Sequence, residues 1–166
     1  MFYICLPKQE GGKYLYLTNR RKERIDEIKK QLGISQRVID ELSSTNPNNY
    51  LSLIGSTVMF ETETLEYLNS HAVVYWNFER FIHIFLRHNP NFFVATSSKG
   101  QGTSFQYSQK DITRLIKIVV QQEKVKIIDR LSHGKEYAAT GIYYNGNHYQ
   151  MRIGADGMLL QFHPMD

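Results

Sequence analysis

The sequence contains little of what builds disulfide-linked, zinc-binding or membrane-spanning proteins. Of its 166 residues only Cys5 is a cysteine, which excludes a disulfide framework and a cysteine-based zinc site. No apolar run approaches the ~20 residues of a membrane span. The opening stretch MFYICLPKQ lacks the basic region and the long apolar region of a signal peptide. We therefore expect a protein that has no membrane partner and acts in the cytosol.

What the chain does contain is an ordinary globular composition with a basic excess. Hydrophobic residues make up 42%, charged residues 22% and aromatic residues 13% of the sequence, which argues against a disordered chain. The formal net charge of +4 favours an anionic partner. The length suits one domain, or one domain with a small appendage.

Residues 1–70 are expected to form a helical accessory region with an N-terminal strand pair. FYICL and KYLYLT flank PKQEGG as two strands flank a hairpin loop. Helical spacing then runs from Arg20 to Leu32, and Gly33 ends that helix. SQRVIDEL predicts a second short helix and SSTNPNNY a loop. The stretch 50–69 is assigned mostly to short helix.

Residues 71–166 are expected to form a second domain in which helices precede a sheet. Phe78, Phe81, Ile82 and Phe85 have the spacing of one helix face, and ITRLIKIVV repeats that spacing. The period then changes to two, so KVKIID, EYAATGIYY, NHYQMRI and MLLQFH predict four strands. The fold class is therefore α+β, with N-terminal helices packed on a C-terminal antiparallel sheet of four to five strands.

Two turn sequences predict which side chains share a face of that sheet. Two-residue turns at NG (145–146) and DG (156–157) set the register of both hairpins. The predicted pairs are Tyr144 with Asn147, Tyr143 with His148, Arg152 with Gln161 and Gln150 with His163. Because side chains alternate along a strand, one face is polar and carries no acid, and the other is apolar. The polar face carries Tyr143, His148, Gln150, Arg152, Gln161 and His163; the apolar face carries Ile142, Tyr149, Met151, Ile153, Leu160 and Phe162.

The helix that ends in HIFLRH adds two histidines and an arginine. His83 and Arg87 are i, i+4 neighbours on its polar side, and His88 lies nearer the apolar stripe. A surface network with Glu79 or a helix-capping role for His88 would explain these residues without any function. The two histidines are five residues apart with no glutamate between them, unlike the zinc motif HExxH. We therefore expect no metal site and no cofactor.

Histidines, arginines and tyrosines without carboxylates or cysteines suit metal-independent RNA cleavage. A base removes the 2'-hydroxyl proton, that oxygen attacks phosphorus, and an acid protonates the leaving 5'-oxygen. A cation stabilises the phosphoryl oxygens in the transition state, and tyrosines stack on unpaired bases. The residues predicted to carry the chemistry are His83, Arg87, His88, His148, Arg152 and His163, and those predicted to bind RNA are Tyr107, Tyr143, Gln150 and Gln161.

The stretch from about residue 76 to the C-terminus resembles the barnase/EndoU/colicin/RelE-type (BECR) ribonuclease toxins. The resemblance rests on HIFLRH, GTSFQYSQKDITRLI, YYNGNHYQMRI and DGMLLQFHP. It implies helices on an antiparallel sheet whose open face cleaves RNA, frequently tRNA, without metal. It also implies a cognate immunity protein or antitoxin, as for polymorphic and phage-encoded toxins. The residues it points to are His83 or His88 as the helix-borne histidine, Thr103 and Ser104 as hydroxyl positions, His163 on the terminal strand, and Lys99 as the cation of EndoU-like members.

Two other classes of protein fit the same sequence. One is a non-catalytic nucleic-acid- or protein-binding module, such as a phage-encoded inhibitor or an immunity protein, which would use the polar face for binding alone. The other is a structural protein of a phage or mobile element, which would neither bind nor cleave RNA. Incubation with RNA distinguishes the three classes.

Overall fold

The computed structural model describes residues 6–70, 72–89, 92 and 109–165. Helices precede an antiparallel sheet, which confirms the predicted α+β class. The chain divides into two compact units, Met1–Phe60 and Glu61–Asp166. The elements are α1 Leu6–Leu32, α2 Gln36–Thr45, α3 Pro47–Met59, β1 Glu63–Asn69, β2 Ala72–Trp76, α4 Phe78–Phe81 with a π-helical turn Ile82–Leu86, α5 Gln109–Gln122, α6 Lys124–Ser132, β3 Tyr137–Tyr144, β4 Asn147–Ile153 and β5 Leu159–Pro164.

The first unit begins with one long helix where the sequence predicted a strand pair. KYLYLT lies inside α1, so the strand assignment is wrong there, and residues 1–5 lie outside the described part of the chain. Gly33 ends α1 with φ +65°, as predicted. A loop was predicted at SSTNPNNY, but only Asn46 of this stretch lies outside the helices. Its side-chain oxygen accepts a hydrogen bond from the backbone amide of Asn49 and caps α3.

The core of the first unit lies between its three helices. Ile25, Ile28, Ile39, Leu42 and Leu53 are buried there, from all three helices. The second half of the stretch 50–69 is not helix, because α3 ends at Met59 and β1 follows.

β1 and β2 form an antiparallel hairpin at the start of the second unit. The domain boundary predicted at residue 70 falls inside this hairpin. The chain instead divides into its two compact units between Phe60 and Glu61.

The C-terminal sheet has three strands in the order β3-β4-β5 rather than four or five. The predicted strand KVKIID is wrong, because these residues begin α6. Ile127 and Leu131 of α6 are buried at i, i+4 spacing. An alternating stretch of six residues thus packs as a helix here.

The predicted pairs of the meander are all present. Tyr143 pairs with His148 across the Asn145-Gly146 turn, where both turn residues have positive φ. The second turn is longer than predicted, because the Gly154 amide donates to the Met158 carbonyl. A bulge between Arg152 and Ile153, where Leu160 is the extra residue of β5, compensates. The pairs Arg152 with Gln161 and Gln150 with His163 therefore form as predicted.

The bulge also changes which leucine faces the core. Leu159 is fully buried and Leu160 only partly, so the assignment of Leu160 to the apolar face is wrong. The other predicted apolar residues are buried: Ile142, Tyr149, Met151, Ile153 and Phe162.

The second unit has an aromatic core that links its sheets and helices. Trp76, Phe81, Phe85 and Phe162 are its largest buried side chains, and the Phe81 and Phe85 rings stack at 5.2 Å. The π-helical turn and α4 contact β5. This packing joins the HIFLRH helix to the last strand.

Within the described ranges, no helix combines the length and apolar character that crossing a bilayer requires.

Candidate active site

Three histidines lie together where the π-helical turn meets β5. The ring centroids of His83 and His88 are 6.3 Å apart with the rings perpendicular. The rings of His88 and His163 stack at 5.6 Å with 26° between their planes. Two residues of the helix and one of the terminal strand thus form what we call the histidine cluster.

The π-helical turn explains why His83 and His88 touch. An α-helix has 3.6 residues per turn, which places residues five apart on different sides. In the segment Ile82–Leu86 the turn is wider, and the Arg87 amide donates to the Ile82 carbonyl five residues earlier. A residue and the fifth one after it therefore lie one above the other. The sequence, interpreted with α-helical spacing, placed His88 nearer the apolar stripe instead.

His163 reaches the cluster from the polar face of the sheet. It pairs with Gln150, and its buried neighbour Phe162 fixes the strand on the other face. The His163 Nδ1 lies 2.8 Å from the Pro164 carbonyl oxygen. A carbonyl only accepts hydrogen bonds, so Nδ1 carries the proton and Nε2 remains for exchange with a substrate.

Two arginines surround His83 with positive charge. Burial is the largest cause that lowers the pKa of His83, and the charges of Arg87, Arg80 and His163 lower it further. The charge of Glu79 raises the pKa of His83, but this effect is smaller. These effects favour the neutral form of the His83 imidazole.

Arg80 is held between the helix and β5. Its Nη2 lies 3.2 Å from Glu79 Oε1, and its Nη1 donates to the Leu160 carbonyl over 3.5 Å. The Nε atom is buried and has no hydrogen-bond partner among the described residues. The helical spacing places Arg80 on the same side as His83, three residues before it, but Arg80 was not among the residues predicted to carry the chemistry.

Arg152 has a partner that the sequence analysis did not expect. Its Nε donates to Glu136 Oε1 at 2.8 Å, and this bond is the largest cause that lowers the pKa of the Glu136 carboxyl. A bulge between Ala139 and Ile142 makes Ala138 the partner of Arg152. Side chains alternate, so Glu136 joins the face of Arg152. The prediction of a face without an acid is wrong.

The other predicted residues of the sheet lie beside the cluster rather than in it. Tyr143 is 59% exposed and its ring lies 5.4 Å from that of His148, which faces the same side. Gln150 and Gln161 are partly buried on this face, opposite His163 and Arg152. Lys99, Thr103, Ser104 and Tyr107 lie outside the described residues.

The histidine cluster is not arranged as a metal site. Across the part of the chain that the structure describes, no group of three His, Cys, Asp or Glu side chains has a geometry that would hold a metal ion. What the cluster offers chemically is proton exchange next to two guanidinium groups.

The cluster combines an imidazole whose pKa is lowered, a second imidazole with one nitrogen bound to a carbonyl, and two arginines that act on the first. No family model, no curated protein and no solved structure matches this chain.

Proposed function

We propose that the protein is a metal-independent ribonuclease that cleaves RNA by attack of the 2'-hydroxyl. The observation that carries the proposal is the contact of His88 with both His83 and His163. His88 thus links His83 of the π-helical turn to His163 of β5, and arginines lie beside them. Acid–base catalysis at a phosphodiester needs that combination.

We assign the base to His83 and the acid to His163. The lowered pKa of His83 keeps its imidazole neutral and able to accept the 2'-hydroxyl proton. The 2'-oxygen then bonds to phosphorus, and the bond from phosphorus to the 5'-oxygen breaks. His163, protonated at both nitrogens, gives its Nε2 proton to that oxygen. The products are a 2',3'-cyclic phosphate and a 5'-hydroxyl.

The charge of His163 is among the causes that lower the pKa of His83. This coupling supports the assignment of His83 as the base, because it favours the form that accepts a proton. His88, stacked on His163, is a positioning residue in this scheme.

Arg80 and Arg87 would stabilise the negative charge of the phosphoryl oxygens. Both act on His83 electrostatically, so both lie near the reacting proton. Arg152 is not assigned this role, because it is not among the groups that act on His83. Tyr143 and His148 would contact the bases that flank the cut, since Tyr143 is exposed on the same sheet face as His163.

Cytosolic RNA, including tRNA, is the substrate we propose, with a cognate immunity protein or antitoxin as the partner. The basic net charge of +4 supports an RNA partner. The immunity partner rests on the resemblance to ribonuclease toxins alone.

Incubation of the protein with total RNA in EDTA tests the proposal. We expect discrete products ending in 2',3'-cyclic phosphate, and no products from the His163→Asn variant. RNA that shifts on a gel but stays intact would support the binding-module alternative. RNA that neither shifts nor breaks would contradict both.

A further inference from the structure

The first unit contains a groove that includes no residue of the histidine cluster. It has a volume of about 370 Å³ and is lined by α1, the start of α2 and Tyr50 of α3. Arg21, Lys22 and Lys29 line it, against a single acid, Asp26. Asp26 pairs with Lys29 at 3.0 Å, so the groove keeps the positive charge of two side chains.

Arg21 is oriented in this groove by an aromatic ring. Its guanidinium lies 5.7 Å from the centroid of the Tyr50 ring and donates to the Tyr50 hydroxyl. The ring contact and the bond to the hydroxyl together restrict the guanidinium, so its remaining N–H donors keep fixed directions. This matches the fork of two oxygens that a phosphate presents.

Polar side chains line the groove beside these cations. Lys29 Nζ also donates to Gln36 Oε1 at 3.1 Å, which ties α1 to α2 at the groove wall. The amide nitrogen of Gln36 donates in turn to Asp40 Oδ1 at 2.9 Å. Lys22 is exposed and lines the same groove as Arg21. The two cations can thus meet successive phosphates of an extended strand.

The distribution of charge supports a polyanion as the ligand. Residues 1–60 contain nine Lys and Arg against six Asp and Glu, so they carry three of the four net positive charges of the chain. The second unit is close to neutral by the same count. Non-specific nucleic-acid affinity comes mainly from such phosphate contacts.

We propose that this groove binds the phosphate backbone of single-stranded nucleic acid. Arg21 and Lys22 contact adjacent phosphates, and the guanidinium plane of Arg21 offers a surface on which a base can stack. The groove is a binding site separate from the histidine cluster, and the inference stands whether or not the cluster cleaves RNA.

Fluorescence anisotropy of a labelled oligothymidylate with the full chain tests the groove. DNA has no 2'-hydroxyl, so the probe stays intact whatever the cluster does. We expect the Arg21→Gln/Lys22→Gln double variant to bind roughly tenfold more weakly than wild type. The slope of log Kd against log salt should fall by about 1.4, or about 0.7 for each lost phosphate contact.

The matched control is Arg37→Gln/Lys30→Gln, which also removes two positive charges, but from exposed positions outside the groove. We expect its affinity within about twofold of wild type. Equal weakening in both double variants would overturn the proposal, because delocalised charge would then explain the binding. Absence of oligothymidylate binding by wild type, or preferential binding of polyglutamate, would overturn it as well.

Lys22→Gln alone guards against misfolding of the double variant, since Lys22 is exposed and Arg21 supports Tyr50. We expect this single variant to keep the wild-type thermal transition. It should lower the salt slope by about 0.7. An unchanged slope would contradict the assignment of Lys22 to a phosphate.

Discussion

At the scale of single residues, the proposed chemistry of the site depends on the groups around His83. The pKa of a free histidine is about 6.5. Partial burial and the charges of Arg87, Arg80 and His163 all disfavour its protonated form. Removal of a neighbouring cation therefore raises the pKa of His83.

The first prediction follows from the direction in which the neighbouring charges move the pKa of His83. NMR titration of the His83 ring should give a midpoint below 6.5 in wild type, and Arg87→Gln should move the midpoint upward. Arg152→Gln is the control, because Glu136 engages Arg152 and it is not among the groups that act on His83. A midpoint above 6.5 in wild type would remove the reason for naming His83 as the base.

The second prediction compares the cleavage rates of variants at His163 and at Arg152. His163→Ala should lower the cleavage rate by at least about 10²-fold, the usual contribution of an acid or base. Arg152→Ala removes a guanidinium that is bound to Glu136, so its rate should stay within about threefold of wild type. The rates on one RNA substrate, with circular dichroism to verify folding, decide this. A larger loss for Arg152→Ala than for His163→Ala would contradict our assignment of the site.

The sequence could predict which side chains share a sheet face, but not every contact. The hairpin turns predicted that His163 and Arg152 share a face, and the structure agrees. The contact of His83 with His88 depends on a π-helical turn, for which the sequence has no periodic signal. The pairing of Arg152 with Glu136 depends on a bulge in β3, which reverses the facing of the residues before it.

At the scale of elements, long periodic segments were predictable and short alternating ones were not. The buried residues of α5 have the predicted helical spacing, namely Ile112, Ile116, Val119 and Val120. KVKIID and KYLYLT alternate over six residues only, and both belong to helices. Packing partners decide such short stretches, and single-sequence patterns do not contain that information.

The turn between β4 and β5 gives the third prediction. Gly157 has φ +92°, and its carbonyl accepts a hydrogen bond from the Tyr75 amide of β2. A Cβ atom there would lie 1.9 Å from the Val73 carbonyl oxygen. Gly157→Ala should therefore lower the free energy of unfolding by about 3 kcal/mol, through both backbone strain and collision.

Gly146→Ala is the matched control for this turn. Gly146 also has a positive φ, +85°, but no heavy atom lies within 4 Å of its Cβ position. It should cost only about 1 kcal/mol. Equal losses for both variants in urea denaturation would mean that the close approach of β2 to the turn does not contribute to stability.

At the scale of the whole molecule, the described residues form two units with separate cores. All residues of the histidine cluster and both arginines next to it belong to Glu61–Asp166, and the basic groove belongs to Met1–Phe60. The two proposals therefore concern different units. The boundary that the sequence predicted between two regions, at residue 70, lies inside the β1–β2 hairpin of the second unit.

The fourth prediction uses that division. A fragment of residues 61–166 contains the aromatic core of Trp76, Phe81, Phe85 and Phe162, so it should fold alone. It should cleave short RNA at a rate close to that of the full chain and bind oligothymidylate more weakly. The same fragment with His163→Asn is the control. A folded fragment without cleavage, beside an active full chain, would show that the second unit is not sufficient.

The most direct measurement of the central claim is mass spectrometry of a DNA oligonucleotide that contains one ribonucleotide, after incubation with the protein in EDTA. If the histidine cluster directs attack by the 2'-hydroxyl, the strand is cut only after that ribonucleotide. The upstream product then ends in a 2',3'-cyclic phosphate, and both His83→Asn and His163→Asn prevent the cut. An intact oligonucleotide together with intact RNA of every sequence supplied, or cleavage that both variants retain, would contradict the account.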